Sequence, residues 1–175
     1  MAVETKPIFS PELVRQRAQF FTLPAGIENA RARLIHWADL ITSGEADKLT
    51  EKQLLPDFIS DIFGQVLGYT GPMGAEKAFT LLRETHVEVN GEYADAALGR
   101  FTTEEKKFIV AVEGKGTRDP LDRPFAGRKM SAVDQGYRYA INFPCDWIIV
   151  TFMRETRLYH KGSNQHTCGF EFLLW

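Results

Sequence analysis

The segment Phe108-Ile109-Val110-Ala111-Val112 is an unbroken apolar run, rich in β-branched residues, that ends directly on a carboxylate, Glu113. A strand covered on both faces reads this way, because neither side has to alternate with water-facing residues. The chain is therefore expected to build a sheet with this strand near its centre. Trp147-Ile148-Ile149-Val150 is a second such run, inside a strand predicted from Asp146 to Phe152, with Arg157 to His160 as a strand paired to it. Ser131 to Phe143, between the two runs, reads as a helix. Upstream the strands are short: Phe79 to Leu82, His86 to Val89 and Tyr93 to Phe101, with Asn90-Gly91 as a hairpin turn.

The amino-terminal part has a different period. Ser10-Pro11-Glu12 is a helix-start signature, Leu34, Trp37, Leu40 and Ile41 recur at helical spacing, and Pro24 and Gly26 separate two helical segments. A third helix opens at Thr50, where Thr50 and Gln53 have the spacing of a capping box. It is expected to carry Phe58, Ile59, Ile62, Phe63, Val66 and Leu67 on its buried side. Pro56 either kinks this helix or marks its true first turn. Gly68 ends it, and Gly71-Pro72-Met73-Gly74 is a loop. Helices, then strands, then helix and strands again predict an α/β fold with a mixed central sheet flanked by helices. The expected division is a helical lead-in over residues 1–49 and a core over residues 50–175, within a single domain.

With 175 residues and 44% apolar content the chain can bury a core of its own. No apolar run approaches bilayer length, and the amino end lacks a basic-then-apolar export signal. A cytoplasmic protein without a membrane partner is the expectation, with Cys145 and Cys168 as reduced thiols rather than a disulfide. A net charge of −2 gives no global pull toward nucleic acid, so any such affinity must be local. The apolar stretch from Gly169 to Trp175, with no polar tail, suggests a piece of a longer polypeptide.

The chemistry-bearing segments are Tyr93-Ala94-Asp95-Ala96 and Val112-Glu113-Gly114-Lys115-Gly116. Residues two apart on a strand point to one side, so Glu113 and Lys115 are expected to face a common site, and Asp95 joins them if the two strands are neighbours. Hydrolysing a phosphodiester needs a hard cation to offset charge on the phosphate, and carboxylate oxygens are what Mg²⁺ prefers. It also needs an activated water, which a lysine beside the cation can orient. Two acids and one lysine supply both requirements. Taken alone, the same three residues are also what ordinary charged strand ends look like.

The setting adds to the pattern. A helix carrying Asp134-Gln135-Gly136-Tyr137-Arg138-Tyr139 follows the acids, and the combination of D…ExK with a helical QxxxY from Gln135 to Tyr139 resembles the PD-(D/E)xK nuclease domains of restriction-modification enzymes. Further stretches resemble the amino-terminal endonuclease domain of type IIG enzymes, in which one polypeptide carries nuclease and DNA methyltransferase. They are the strand from Ala94 to Phe101, Leu121-Asp122-Arg123-Pro124 beyond Gly116, and the pair formed by Cys145-Asp146-Trp147 and Arg157-Leu158-Tyr159. The likeness runs from about Glu51 to Ser163 and extends to the nuclease domains of type I motor subunits. Ala94 stands where the name-giving proline would be.

The resemblance implies a restriction-endonuclease-like PD-(D/E)xK core acting as a magnesium-dependent endodeoxyribonuclease on double-stranded DNA. Asp95 and Glu113, with Gly114 beside them, would hold Mg²⁺, for which Mn²⁺ would substitute, and Lys115 would assist the attacking water. Gln135 and Tyr139 would sit beside the site, contacting DNA or positioning the lysine. Glu51 is the positional match for an acid on the first core helix that completes the metal site; an acid in a helix's first turn is equally plain dipole compensation. Methyltransferase and target-recognition domains would lie on the same polypeptide, with a transient dimer during cleavage. The rivals are a non-catalytic DNA-binding or scaffolding module of the same fold, and the nuclease domain of a type I motor subunit.

Between Arg100 and Met130 lie eight basic residues, Arg100, Lys106, Lys107, Lys115, Arg118, Arg123, Arg128 and Lys129, against five acids. This stretch is expected to bracket the site and hold phosphates without reading sequence, with Lys129, Arg128 and Arg118 as the preferred DNA contacts. His160, His166 and Cys168 lack a fourth ligand at sensible spacing for zinc. His86 is expected to make a structural hydrogen bond. Trp37, Trp147 and the phenylalanines have core spacing, and the glycines from Gly64 to Gly74 lack the lysine and hydroxyl of a phosphate-binding loop.

Overall fold

A computed structural model of the chain describes residues 8–87, 92–125, 127–163 and 170–173. Three helices open the fold: α1 (Pro11–Gln19), α2 (Ile27–Thr42) and α3 (Glu51–Phe58). Six strands follow, β1 (Phe79–Val87), β2 (Glu92–Phe101), β3 (Lys106–Gly114), β4 (Trp147–Thr151), β5 (Glu155–His160) and β6 (Phe170–Leu173), with α4 (Ala132–Asn142) between β3 and β4. They form one mixed sheet in the order β1-β2-β3-β4-β5-β6. Neighbours are antiparallel except β3 and β4, which run parallel at the middle with α4 as their crossover. No helix among the described residues is long and apolar enough to cross a membrane.

The two apolar runs thus become the central pair, as their composition requires. Val112, facing one way, packs with Trp37, Ile41, Phe58, Ile59, Ile62, Phe63 and Met153 under α2 and α3. Ala111, Ile148 and Val150, facing the other way, pack under Val133, Tyr137 and Ala140 of α4. Period-two alternation along buried strands sends successive residues to opposite cores. Residues on both sides of position 50 share the first core, since Trp37, Ile41 and Ala46 belong to it together with Leu54 and Phe58.

Three local expectations are corrected. Phe79 to Leu82 and His86 to Val87 are parts of one strand, β1, paired with β2 from Phe79 opposite Phe101 to Val87 opposite Glu92, with a register shift between Phe79 and Leu81; the polar Arg83 and Glu84 between them interrupt the apolar pattern without ending the strand. The Asn90-Gly91 turn and Val89 lie outside the described residues, as do His166 and Cys168, while Cys145 is a buried free thiol. Of the two places open to Pro56, the structure has it inside α3 and not in the first turn, and what is corrected is the expected regular helix, since beyond Phe58 it continues with π spacing over Ile59–Val66. The Leu67 N–H donates to the Ile62 carbonyl at 2.9 Å, five residues back. A π turn holds more residues than an α turn, so the phase of the apolar face drifts. Leu67, expected on the buried side, is consequently 54% exposed.

The β2–β3 register shifts between Leu98 and Gly99. A Cβ at Gly99 would lie 2.1 Å from the Lys107 carbonyl oxygen, so only glycine lets the two backbones approach this closely. Because side-chain direction has a period of two, this irregularity decides which β2 residues face which β3 residues farther along.

Candidate active site

Glu113 is the penultimate residue of β3, and Lys115 follows the strand's end. The Lys115 N–H donates to the Thr151 carbonyl at 2.8 Å, which carries the β3–β4 ladder one residue further. Lys115 thereby stays in strand-like conformation on the same side as Glu113, and its ammonium is ion-paired with Glu113 Oε1. In the β2–β3 register Ala97 faces Ala111 and Ala96 faces Val112, so the next step brings Asp95 opposite Glu113. Asp95 Oδ2 accepts the Gly114 N–H at 2.7 Å.

Two glycines let helices close on this spot from opposite faces. A Cβ at Gly114 would stand 2.3 Å from Leu55 Cδ1, so the bare glycine allows α3 to lie against the end of β3. That seating brings Glu51, at the start of α3, to the same end, where its Oε2 accepts the Gly116 N–H at 3.3 Å. The α3 start is held by Gln53 Oε1, which accepts the Thr50 N–H and the Thr50 hydroxyl, each at 2.9 Å. A Cβ at Gly136 would meet Ile148 Cγ2 at 2.8 Å and Val150 Cγ2 at 3.0 Å, and would lie 3.9 Å from the Glu113 Cβ, so α4 passes directly over Glu113. Gln135 Nε2 on this helix donates to the Tyr139 hydroxyl at 2.6 Å. The Ser131 side chain caps the helix by accepting the Asp134 N–H at 3.0 Å.

Asp95, Glu113, Lys115 and Glu51 are therefore close enough to sense one another. Burial pushes the Glu113 carboxyl up to about 8, opposed by the Lys115 charge and reinforced by that of Asp95. Burial also raises Asp95, against the Gly114 N–H and Lys115, with Glu51 adding to the rise. Glu113 is 1% exposed and Lys115 is 6% exposed. One buried amine thus faces two carboxylates that together carry an excess of negative charge once both are ionised.

A pH effect follows. The folded state keeps the Glu113 proton over a range in which the unfolded chain has released it, from its ordinary 4.5 up to about 8. Folding stability from this group is therefore complete at acid pH and declines as pH rises through that window. In chelator, the melting temperature of Glu113→Gln relative to wild type should climb between about pH 5 and about pH 8.5. A pH-independent difference would mean that Glu113 is already ionised in the folded protein.

The donor set suits Mg²⁺, which is commonly held by one or two carboxylates with water and phosphate oxygens completing its coordination. Asp95 and Glu113 provide the two carboxylates. Among the described residues no three His, Cys, Asp or Glu side chains form a group able to hold an ion by themselves, and the Glu51 carboxylate is turned to the Gly116 N–H beside the pair. Of the three DNA contacts expected from sequence, Arg118 and Lys129 are exposed, whereas Arg128 is ion-paired with Asp119 and half-buried. The basic stretch does not bracket the acids as a whole. Arg100, Lys106 and Lys107 lie where β2 and β3 meet at the opposite end, roughly 23 Å from Glu113 along the strand at about 3.3 Å per residue.

Polar residues that the sequence reading passed over, Asp47, Thr117 and Arg154, meet beside Glu51 and Lys115 in the chain, joined by contacts of 2.5 to 3.0 Å. They are 37 to 107 residues apart in sequence, and no local pattern links them. An apolar groove of about 800 Å³ along α1, lined by Phe9, Leu13, Val14, Phe21 and Leu23 among others, contains none of the site residues. Comparison of the chain with protein-family models, with curated proteins and with solved structures found no match.

Proposed function

We propose that this protein is a Mg²⁺-dependent endonuclease domain of the PD-(D/E)xK class that hydrolyses DNA phosphodiester bonds within a restriction-modification enzyme. The observation that carries the reading is the meeting of Asp95, Glu113 and Lys115 at the carboxyl end of β3, with the Gly114 N–H bonded to Asp95 and the lysine bonded to Glu113. The likeness of the D…ExK and QxxxY segments to type IIG nuclease domains supports it. Asp95 and Glu113 would hold the cation, which when bound offsets charge on the phosphate. Lys115 orients the attacking water. The new bond is from that water's oxygen to phosphorus, and the bond broken runs to the 3′ oxygen, leaving a 3′-hydroxyl and a 5′-phosphate. Gln135 and Tyr139, bonded to each other on the helix over Glu113, stiffen that wall of the site. Double-stranded DNA is the proposed substrate, with Arg118 and Lys129 as phosphate contacts. Methyltransferase and target-recognition functions are assigned to other parts of the same polypeptide.

Purified protein should convert supercoiled plasmid to nicked or linear forms in Mg²⁺ or Mn²⁺, and chelator should stop the reaction. A non-catalytic DNA-binding module is the competing reading, and the deep burial of Glu113 favours it. Calorimetry showing no Mg²⁺ or Mn²⁺ binding, together with no cleavage, would establish that competitor.

A further inference from the structure

The turn between β4 and β5 contains Met153, which adopts φ +70° although it carries a side chain. It is wholly buried, and its N–H donates to the Thr151 hydroxyl at 3.1 Å. A left-handed conformation is unfavourable for such a residue and persists only where its surroundings hold it in place. The residue after it, Arg154, reaches two distant segments. Arg154 Nε donates to the Thr117 carbonyl at 3.0 Å, and its Nη2 lies 2.9 and 3.0 Å from the two oxygens of Asp47. The Thr117 hydroxyl closes the triangle by donating to Asp47 Oδ1 at 2.5 Å. Thr117 is two residues beyond Lys115, and Asp47 is four residues before Glu51.

We infer that Arg154 is a positioning residue: by tying Asp47 to the Thr117 backbone it sets where Glu51 stands relative to Asp95 and Glu113, and so tunes the site's affinity for a divalent cation. This role rests on the reading of the site as a cation-dependent nuclease centre. The Asp47 and Arg154 side chains are each 30% exposed, and pairs with that much solvent contact contribute little to stability by themselves. The Thr117 hydroxyl first, and then Arg154, hold the Asp47 carboxyl below the usual carboxylate range, so it remains an ionised anchor. The planar guanidinium fork bonds the carboxylate with one edge and the carbonyl with another in fixed directions, which the point charge of a lysine on a flexible stem reproduces only in part.

Mn²⁺ alone, titrated into the whole protein by calorimetry, gives the test. Arg154→Met should weaken binding about tenfold, as loss of residues that orient metal ligands does, while the protein remains folded by circular dichroism. Arg154→Lys should recover part of that loss. In a Glu51→Gln background Arg154→Met should have little further effect, because the side chain it positions has already been neutralised. Thr117→Val, which removes only the hydroxyl bond to Asp47, should shift affinity in the same direction by less, and it serves if Arg154→Met does not fold. Wild-type cleavage with Mn²⁺ affinity unmoved by the folded variants, or the same loss with and without Glu51, overturns the role of Arg154 alone. A wild-type protein that neither binds Mn²⁺ nor cuts DNA removes the nuclease reading and this role with it.

Discussion

Asp95→Asn and Lys115→Met are each expected to slow DNA cleavage in Mg²⁺ by about 10²–10⁴-fold, the range seen when a group acting on the reacting atoms is lost. Asparagine keeps the oxygen that accepts the Gly114 N–H but brings no charge to a cation. Because burial already raises the Asp95 carboxyl, exchanging it for a neutral isostere should cost the fold little. Methionine at position 115 fills the buried stem of the lysine and removes the amine. That change leaves Glu113 facing Asp95 without a counter-charge, so Glu113, which burial already pushes up to about 8, keeps its proton to still higher pH instead of becoming a buried anion. Plasmid nicking rates measured beside thermal melting separate the two effects. Variants that melt like wild type and cut like wild type would leave Asp95 and Lys115 with no catalytic part.

Phe58→Ala is expected to destabilise the protein by about 3–5 kcal/mol. The ring is fully buried and stands edge-on to Trp37, with centroids 5.2 Å apart and an interplanar angle of 89°. It occupies the junction between α3, the π segment and α2, so truncation opens a cavity where three elements meet. Natural domains carry only about 5–15 kcal/mol of net stability, so the loss is a large part of the whole. For a domain of this size it corresponds to a fall in melting temperature of roughly 10 °C. Urea unfolding of the variant gives the direct measurement, and a loss below about 1 kcal/mol would mean that this end of α3 is not seated on the sheet. Since α3 begins with Glu51, cation binding in the folded variant should weaken along with stability.

Much of the architecture is legible in the sequence. The apolar runs ending at Glu113 and Val150 identify the two central strands because a strand hidden on both faces needs no polar alternation. The helix from Ala132 to Asn142 was visible from its period, and the Thr50 and Gln53 spacing from its capping chemistry. The placing of Glu113 and Lys115 on one side follows from alternation alone. The π segment was not legible, since its residues satisfy an α-helical period almost as well. The merging of two short predicted strands into β1 was hidden for a similar reason, because Arg83 and Glu84 in its middle are polar and exposed and look like a break.

By itself, then, the sequence determined the local periods, the order of helices and strands, and the spacing of an acid and a lysine along one strand. Only the tertiary structure decided that Asp95 faces Glu113, through the irregularity at Gly99; that Gly114 and Gly136 admit helices close to the site from both faces; and that Asp47, Thr117 and Arg154 meet. The physical reason is range: hydrophobic periodicity is written in neighbouring residues, whereas register, close backbone approach and ion pairs between distant segments exist only once packing has brought remote parts of the chain together.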